Sequence, residues 1–316
     1  MLRTEADKRK SNHLGQIDIV PIRAVIGAEV RCGDVRDLDT AAWKTIYQGW
    51  LENLVVLFRG QHLSDEEFLE FAKHFGELHI AAPPNMMPVG MKARDNEYVG
   101  IISNVVENGV PIGSLGHGEA VWHTDHSYKE EPLKASVLYA LEVPPVGGDT
   151  GFANMYLALE TLPPKLRTRI KGLTIKNDMT YNSAGQIRRG FSPVTDVRSA
   201  PGPSHPIIRT HPETGYNALY LGRRPNAYIN GLPVEESEAL LNALWTHASQ
   251  PQFTWHHKWK VGDILIWDNR CAMHHRTPFD AQSRRVMHRT AIKGTAPFES
   301  EEAGKKPPHL RSNLKP

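Results

Sequence analysis

Cysteine is nearly absent from this chain: the 316 residues hold two, Cys32 and Cys271, and neither belongs to a C-x-x-C pattern. That excludes a disulfide framework and fits a reducing cytosol, so the expected location is cytoplasmic. No apolar run approaches the length of about 18 residues that a membrane-spanning helix needs, and no membrane partner is expected. The opening stretch, Met1 to Lys10, has no apolar core behind its charges and does not read as a secretory leader. An excess of one charge is lacking too, with 37 Lys and Arg against 35 Asp and Glu. A balance that close gives no field to recruit nucleic acid, which is therefore not expected as a partner. The basic triplet Lys8-Arg9-Lys10 reads as part of a solvated tail. Regular strand–helix alternation with a Gly-rich phosphate loop is also missing, and Gly147-Gly148 is too isolated to be a dinucleotide fingerprint.

What remains is ordinary for a globular protein: 40% hydrophobic and 23% charged residues, in a chain long enough to bury a substantial core. Residues 1–16 are expected to be a flexible tail, 17–297 one domain, and 298–316 a polar tail. Trp43, Ile46, Trp50 and Leu51 fall at helical spacing. Ser64-Asp-Glu-Glu67 opens a second helix with a capping box, and Gly76 closes it after Phe68, Phe71 and Phe75. Further helices are expected over 156–171, interrupted at Pro163-Pro164, and over 235–249. Short apolar runs at 54–58, 134–143, 206–209, 218–221, 253–259, 264–267 and 285–292 read as strands. Residues 81–121 and 178–205 are turn-rich, and segments of that kind in a compact protein are usually functional. Many short strands with Gly/Pro turns and a few helices predict an antiparallel barrel or jelly roll.

The chemistry concentrates in four segments. Trp122-His123-Thr124-Asp125 is followed far downstream by Trp267-Asp268-Asn269-Arg270, the pair His274-His275, and Arg285-Arg-Val-Met-His-Arg289. A His-x-Asp pair with one distant histidine is the ligand set of a mononuclear iron(II) site, which leaves the other metal positions open. On a strand, His123 and Asp125 would point the same way. Of His274 and His275, neighbours on a strand, only one would face the metal. Arg285 and Arg289 would share a face about 13 Å apart, a separation that suits two anions at different depths of one pocket. A guanidinium fork matches a carboxylate or sulfonate. Trp122, Trp255 and Trp259 read as packing residues, and His117, Glu119 and His126 as polar loop residues.

The order His123-x-Asp125, Gly147-Gly-Asp-Thr150, Trp267-Asp-Asn-Arg-x-x-x-His274 and Arg285-Arg-x-Met-His-Arg289 resembles the taurine dioxygenase family. That family is also called the taurine/2,4-dichlorophenoxyacetate dioxygenase family. The likeness runs from Ile26-Gly-Ala-Glu29 through Phe75-Gly-Glu-Leu-His79 to Gly294. It implies a mainly β fold with flanking helices, the double-stranded β-helix or cupin-like jelly roll. It implies Fe(II), with 2-oxoglutarate and O2 as co-substrates. His123, Asp125 and His274 would be the metal ligands, and the family spacing selects His274 over His275. Thr150 and Arg285 would hold the distal carboxylate of 2-oxoglutarate, and Arg289 would meet an anionic group of the substrate. The implied reaction hydroxylates a C–H bond while 2-oxoglutarate becomes succinate. It breaks a C–S or C–O bond where the attacked carbon carries sulfonate, sulfate or an ether oxygen. The family's frequent dimers and tetramers make a homo-oligomer an expectation by analogy.

The chain departs from taurine dioxygenase where that enzyme offers its sulfonate a histidine and a tyrosine; here those positions are Ala81 and Pro84. The expected substrate is thus a small organic anion with a larger apolar body: an aryloxyalkanoate, sulfate ester or another sulfonate. Asn104, His117 and Arg223 are the candidates to supply donors in their place. The alternatives are desaturation, epoxidation or cyclisation in a biosynthetic pathway, or a catalytically silent anion-binding protein of the same fold. A nucleic-acid demethylase would need a basic face, and a zinc hydrolase would leave Thr150 and Arg285 without a role.

Overall fold

The central strands are short apolar runs whose side chains alternate between two cores. In Val55–Phe58 and Ile264–Asp268 every residue is buried. Strand geometry sends neighbours to opposite faces. Val55, Leu57, Leu265 and Trp267 accordingly join one cluster, while Val56, Phe58, Ile264 and Ile266 join the other. Burial on both faces is why these strands show no polar alternation.

The structure, a computed structural model, describes residues 17–22, 25–81, 96–117, 120–182 and 185–300. The expected tail 1–16, most of the tail 298–316, Pro84 and Glu119 lie outside the described residues. An eight-stranded sheet runs in the order β1 (Asp18–Pro21), β2 (Ala28–Arg31), β3 (Val55–Phe58), β17 (Ile264–Asp268), β9 (Ala135–Glu142), β19 (Val286–Ile292), β4 (Gly100–Ser103), β7 (Ser114–Leu115). A four-stranded antiparallel sheet has the order β16 (Thr254–His257), β10 (Thr150–Asn154), β18 (Ala272–Arg276), β8 (Ala120–His123). Smaller ribbons pair β5 (Val106–Glu107) with β6 (Val110–Pro111), β11 (Thr174–Lys176) with β12 (Ser204–Pro206) and β15 (Tyr228–Ile229), and β13 (Ile208–Thr210) with β14 (Asn217–Leu219).

Phe152 and Met273 of the small sheet share a core with Leu138, Leu265, Trp267 and Met287 of the large one. The two sheets therefore face each other, and the fold is the expected mainly β jelly roll with flanking helices. The second core lies on the outer face of the large sheet. Helices α1 (Thr40–Asn53) and α2 (Asp65–Lys73) supply Trp43, Ile46, Trp50, Phe68 and Phe71 to it. The capping box at Ser64 and Glu67 forms as read from the sequence, a feature worth about 1 kcal/mol. Helices α3 (Met155–Glu160) and α4 (Pro164–Ile170) are separated at Pro163, and α5 spans Val234–Ala248.

Two expectations need correction. The stretch 81–121 is not all loop, because β4 pairs antiparallel with β19 inside the large sheet. The chain also stays attached past residue 297: Thr210 N donates to Phe298 O at 2.7 Å and Ser300 N to Thr210 Oγ1 at 2.8 Å.

Candidate active site

His123 ends β8 and His274 lies on β18, directly opposite it in the antiparallel register. Their rings sit 4.2 Å apart between centroids. Asp125 comes from elsewhere than expected. β8 stops at His123, and Asp125 falls in the turn that follows. A backbone bond from Thr124 N to Gly222 O, 2.9 Å, pins that turn. The turn, rather than a strand pleat, brings the carboxylate round to the histidines.

The three side chains are buried, and their donor atoms converge. His123 Nε2 lies 3.6 Å from Asp125 Oδ1, and His274 Nε2 3.7 Å from Asp125 Oδ2. His123 Nδ1 is 2.7 Å from the Val121 carbonyl, so it carries the proton and Nε2 keeps its lone pair for the site. Burial holds the His274 imidazole far below its ordinary pKa, so it is neutral at pH 7. Burial alone would raise Asp125, but the Arg289 guanidinium holds it well below the usual carboxylate range. Two lone pairs and one ionised carboxylate aimed at a common point make a cation-seeking centre. The donor set fits a divalent ion of borderline or hard character with open positions.

Asp125 is itself held. Its Oδ2 accepts from Ser136 Oγ at 2.7 Å and from Arg289 Nη2 at 2.6 Å. Ser136 in turn accepts from Asn269 Nδ2 at 3.0 Å, and Asn269 Oδ1 accepts from Trp267 Nε1 at 3.0 Å. The Trp-Asp-Asn-Arg motif thus reaches the centre through Asn269. Nothing in the sequence singled out Ser136.

Arg285 lies just before β19, buried, its Nε without a hydrogen-bond acceptor among the described residues. Burial, then the neighbouring Arg276, pull its pKa down to about 9. Gly148 leaves room for it: a Cβ there would stand 3.2 Å from Arg285 Nε. Thr150 on β10 sits opposite Arg276 in register, and its hydroxyl accepts from Trp259 Nε1 at 2.9 Å. Trp259, expected only to pack, also orients this hydroxyl. Thr150, Arg276 and Arg285 together make a deep wall rich in positive charge.

The remaining expected residues divide. Arg289 reaches Asp125. His288, next to it, turns outward to Asp65 at 2.6 Å, as alternation requires. His275 faces the opposite side of its sheet from His274 and meets His256 Nε2 at 2.7 Å. Asn104 donates through Nδ2 to the carbonyls of Ala281 and Ser283 and accepts from Arg285 N, so its amide braces the Arg285 segment. Ala81 donates its backbone N–H to Glu97 O at 2.8 Å. His126, expected as a polar loop residue, lies in the turn that carries Asp125, half-buried with φ of 53°, its ring 5.1 Å from that of His79.

A second group, His211, Asp268 and Cys271, also brings donor atoms close together. There the carboxylate takes three bonds from Arg270, two of them from its guanidinium, and one from His211, and burial pushes the Cys271 thiol well up. It reads as a satisfied structural network.

The fold and this centre define a class, and comparison with known proteins places the chain within it. A family model described as taurine catabolism dioxygenase TauD, TfdA family matches residues 18–291. The chain belongs to this family. It is 34% identical over 293 residues to the (S)-phenoxypropionate/alpha-ketoglutarate-dioxygenase of Sphingobium herbicidovorans, covering 90% of this chain and 97% of that one. It is 31% identical over 282 residues to the alpha-ketoglutarate-dependent 2,4-dichlorophenoxyacetate dioxygenase of Cupriavidus pinatubonensis, covering 85% and 95%. The solved structure of AAD-2 in complex with Mn(II) and N-oxalylglycine superposes with a TM-score of 0.71 at 29% identity, covering 90% of this chain and 100% of that one. No described helix is long and apolar enough to cross a membrane.

Proposed function

We propose that this dioxygenase uses Fe(II), 2-oxoglutarate and O2 to hydroxylate a C–H bond of a small organic anion. The observation that carries this reading is the buried convergence of His123 Nε2, His274 Nε2 and the Asp125 carboxylate, together with a buried Arg285 whose Nε meets no acceptor among the described residues. His123, Asp125 and His274 would hold the metal, which when bound supplies the activation of oxygen. Arg285 and the Thr150 hydroxyl would take the distal carboxylate of 2-oxoglutarate, the anion that a buried, donor-rich wall requires. Asn104 contributes by holding the Arg285 backbone. Arg289, at the centre's edge, orients Asp125 and offers its remaining N–H groups to the substrate's anion.

One oxygen atom enters succinate as 2-oxoglutarate loses CO2, and the other enters the substrate as hydroxyl. If the hydroxylated carbon carries an ether, sulfate or sulfonate group, the product collapses to a carbonyl compound and releases the alcohol or anion. The relatives named for phenoxypropionate and 2,4-dichlorophenoxyacetate favour aryloxyalkanoates. Ala81 favours them too, because its side chain has no donor for a sulfonate.

Oxygen uptake and succinate release, measured with taurine, 2-phenoxypropionate, 2,4-dichlorophenoxyacetate and hexyl sulfate, test the substrate class. Two missing charged hydrogen bonds, each about 1.5–3 kcal/mol, should leave taurine at least about a hundredfold behind the best of the larger anions in kcat/KM. Taurine turnover equal to theirs would contradict this reading. Product analysis separates hydroxylation from desaturation or cyclisation.

A further inference from the structure

The wall that faces the centre from the chain after β14 carries a second buried arginine. Arg223 forms an isolated antiparallel bridge with His123, and the neighbouring Gly222 carbonyl pins Thr124. Gly222 has φ of 70°, and a Cβ there would stand 1.9 Å from Asn177 Oδ1, so the backbone is fixed closely at this point. The Arg223 residue is 7% exposed. Its Nη1 donates to Tyr181 O at 3.1 Å, while its Nε is buried and meets no acceptor among the described residues. The Tyr128 ring is shared by two cations, with the guanidinium carbon of Arg188 3.8 Å and that of Arg223 5.3 Å from its centroid.

The charges around Arg223 do not balance. It is buried, with the like charges of Arg188 and Arg289 near it as well as Tyr128 and Asp125. Among the described residues no carboxylate forms an ion pair with it. Asp125 is already engaged by Arg289 and Ser136. A buried guanidinium with an idle N–H, next to other cations, is unfavourable until an acceptor arrives. Cation–π contact with Tyr128 relieves this only in part.

We propose that Arg223 is a second substrate-binding cation, which together with Arg289 clamps the oxyanion head of the organic substrate beside His123, Asp125 and His274. This rests on the function proposed above and sharpens it. The substrate carries a carboxylate, sulfonate or sulfate with at least two free oxygens, one for each guanidinium.

The test uses the full chain loaded with Mn(II) and N-oxalylglycine, titrated calorimetrically with 2,4-dichlorophenoxyacetate, hexyl sulfate and the uncharged 2,4-dichlorophenoxyethanol. In Arg223→Gln the Kd of each anion that the wild type binds should rise about tenfold or more, the factor one charge-assisted hydrogen bond carries. Arg223→Lys should recover part of that loss. Neither variant should change the affinities for Mn(II), N-oxalylglycine or the uncharged alcohol. Unchanged anion affinity in Arg223→Gln overturns the proposal. So does an equal loss of metal or N-oxalylglycine affinity in both variants, which would mark a structural role. Wild type that takes up Mn(II) and N-oxalylglycine but neither anion also overturns it. Wild type that takes up no Mn(II) and no N-oxalylglycine overturns the underlying function, and this proposal with it.

Discussion

Ser136 donates its hydroxyl proton to Asp125 Oδ2 across 2.7 Å, from the inward face of β9 and out of all contact with solvent. It fixes the rotation of the carboxylate, and Asn269 fixes the serine. Groups that orient a metal ligand typically carry a factor of about 10–100 in metal affinity. Ser136→Ala should therefore weaken Fe(II) or Mn(II) binding by that factor. It should also destabilise the fold by about 1–3 kcal/mol, since Asn269 Nδ2 loses an acceptor. Metal titration with a parallel denaturation curve checks both effects, and unaltered metal affinity would remove Ser136 from the site.

Arg285 should govern 2-oxoglutarate. In Arg285→Gln the distal carboxylate loses its charged partner in a buried setting, a loss of about 2–5 kcal/mol. Apparent affinity for 2-oxoglutarate should fall roughly thirtyfold or more. A 2-oxo acid without the distal carboxylate should bind wild type and variant alike. If instead substrate binding weakened and 2-oxoglutarate did not, the roles of Arg285 and Arg289 would be exchanged.

His274 and His275 are adjacent in sequence but face opposite sides of β18. His274 joins the buried centre, whereas the His275 ring lies tilted against Trp122 at 4.1 Å between centroids and meets His256 across Gly151. His274→Ala should lose the bound metal, and His275→Ala should keep it at full stoichiometry. Metal content after equilibrium dialysis decides between them, and the reverse pattern would move the ligand to His275.

Much of this was legible in the sequence because the strongest signals are local or widely repeated. The apolar runs Val55–Phe58 and Ile264–Asp268 are buried on both faces, so their continuity marked them. The Ser64–Glu67 capping box is a four-residue pattern that needs no tertiary help. His123, Asp125 and His274 were found by their order, although the expected cause of their convergence was wrong. A turn held by Gly222 does what a strand pleat was expected to do. β4 was missed because Gly100-Ile-Ile-Ser103 is too short for any period and becomes a strand only through β19, far downstream. Ser136 carries no local signal at all, since it matters only through what the fold sets opposite it, and Arg223 could be named only as one of three possible donors.

Stability should fall on mild acidification. His205, His211 and His257 are buried, and burial holds each below the ordinary value of 6.5. His211 stays so even 3.0 Å from Asp268, because Arg270 shares that carboxylate. As pH drops below about 6.5, the unfolded chain takes up protons at these positions and the folded chain does not. Each histidine then lowers stability by up to about 1.4 kcal/mol per pH unit until its folded pKa is reached. Urea denaturation of the apoprotein should give a lower midpoint at pH 5.5 than at pH 7.5. Equal midpoints would mean that these histidines ionise freely in the folded state.

Turnover at this centre should follow one stoichiometry. Purified protein supplied with Fe(II), 2-oxoglutarate and 2-phenoxypropionate should consume O2 and form succinate in equal amounts. Under 18O2, one labelled atom should appear in succinate. Omitting Fe(II) or 2-oxoglutarate, or substituting His123→Ala, should abolish substrate-dependent succinate formation. Turnover of the organic anion without 2-oxoglutarate, or full succinate formation by His123→Ala, would contradict the assignment of this centre.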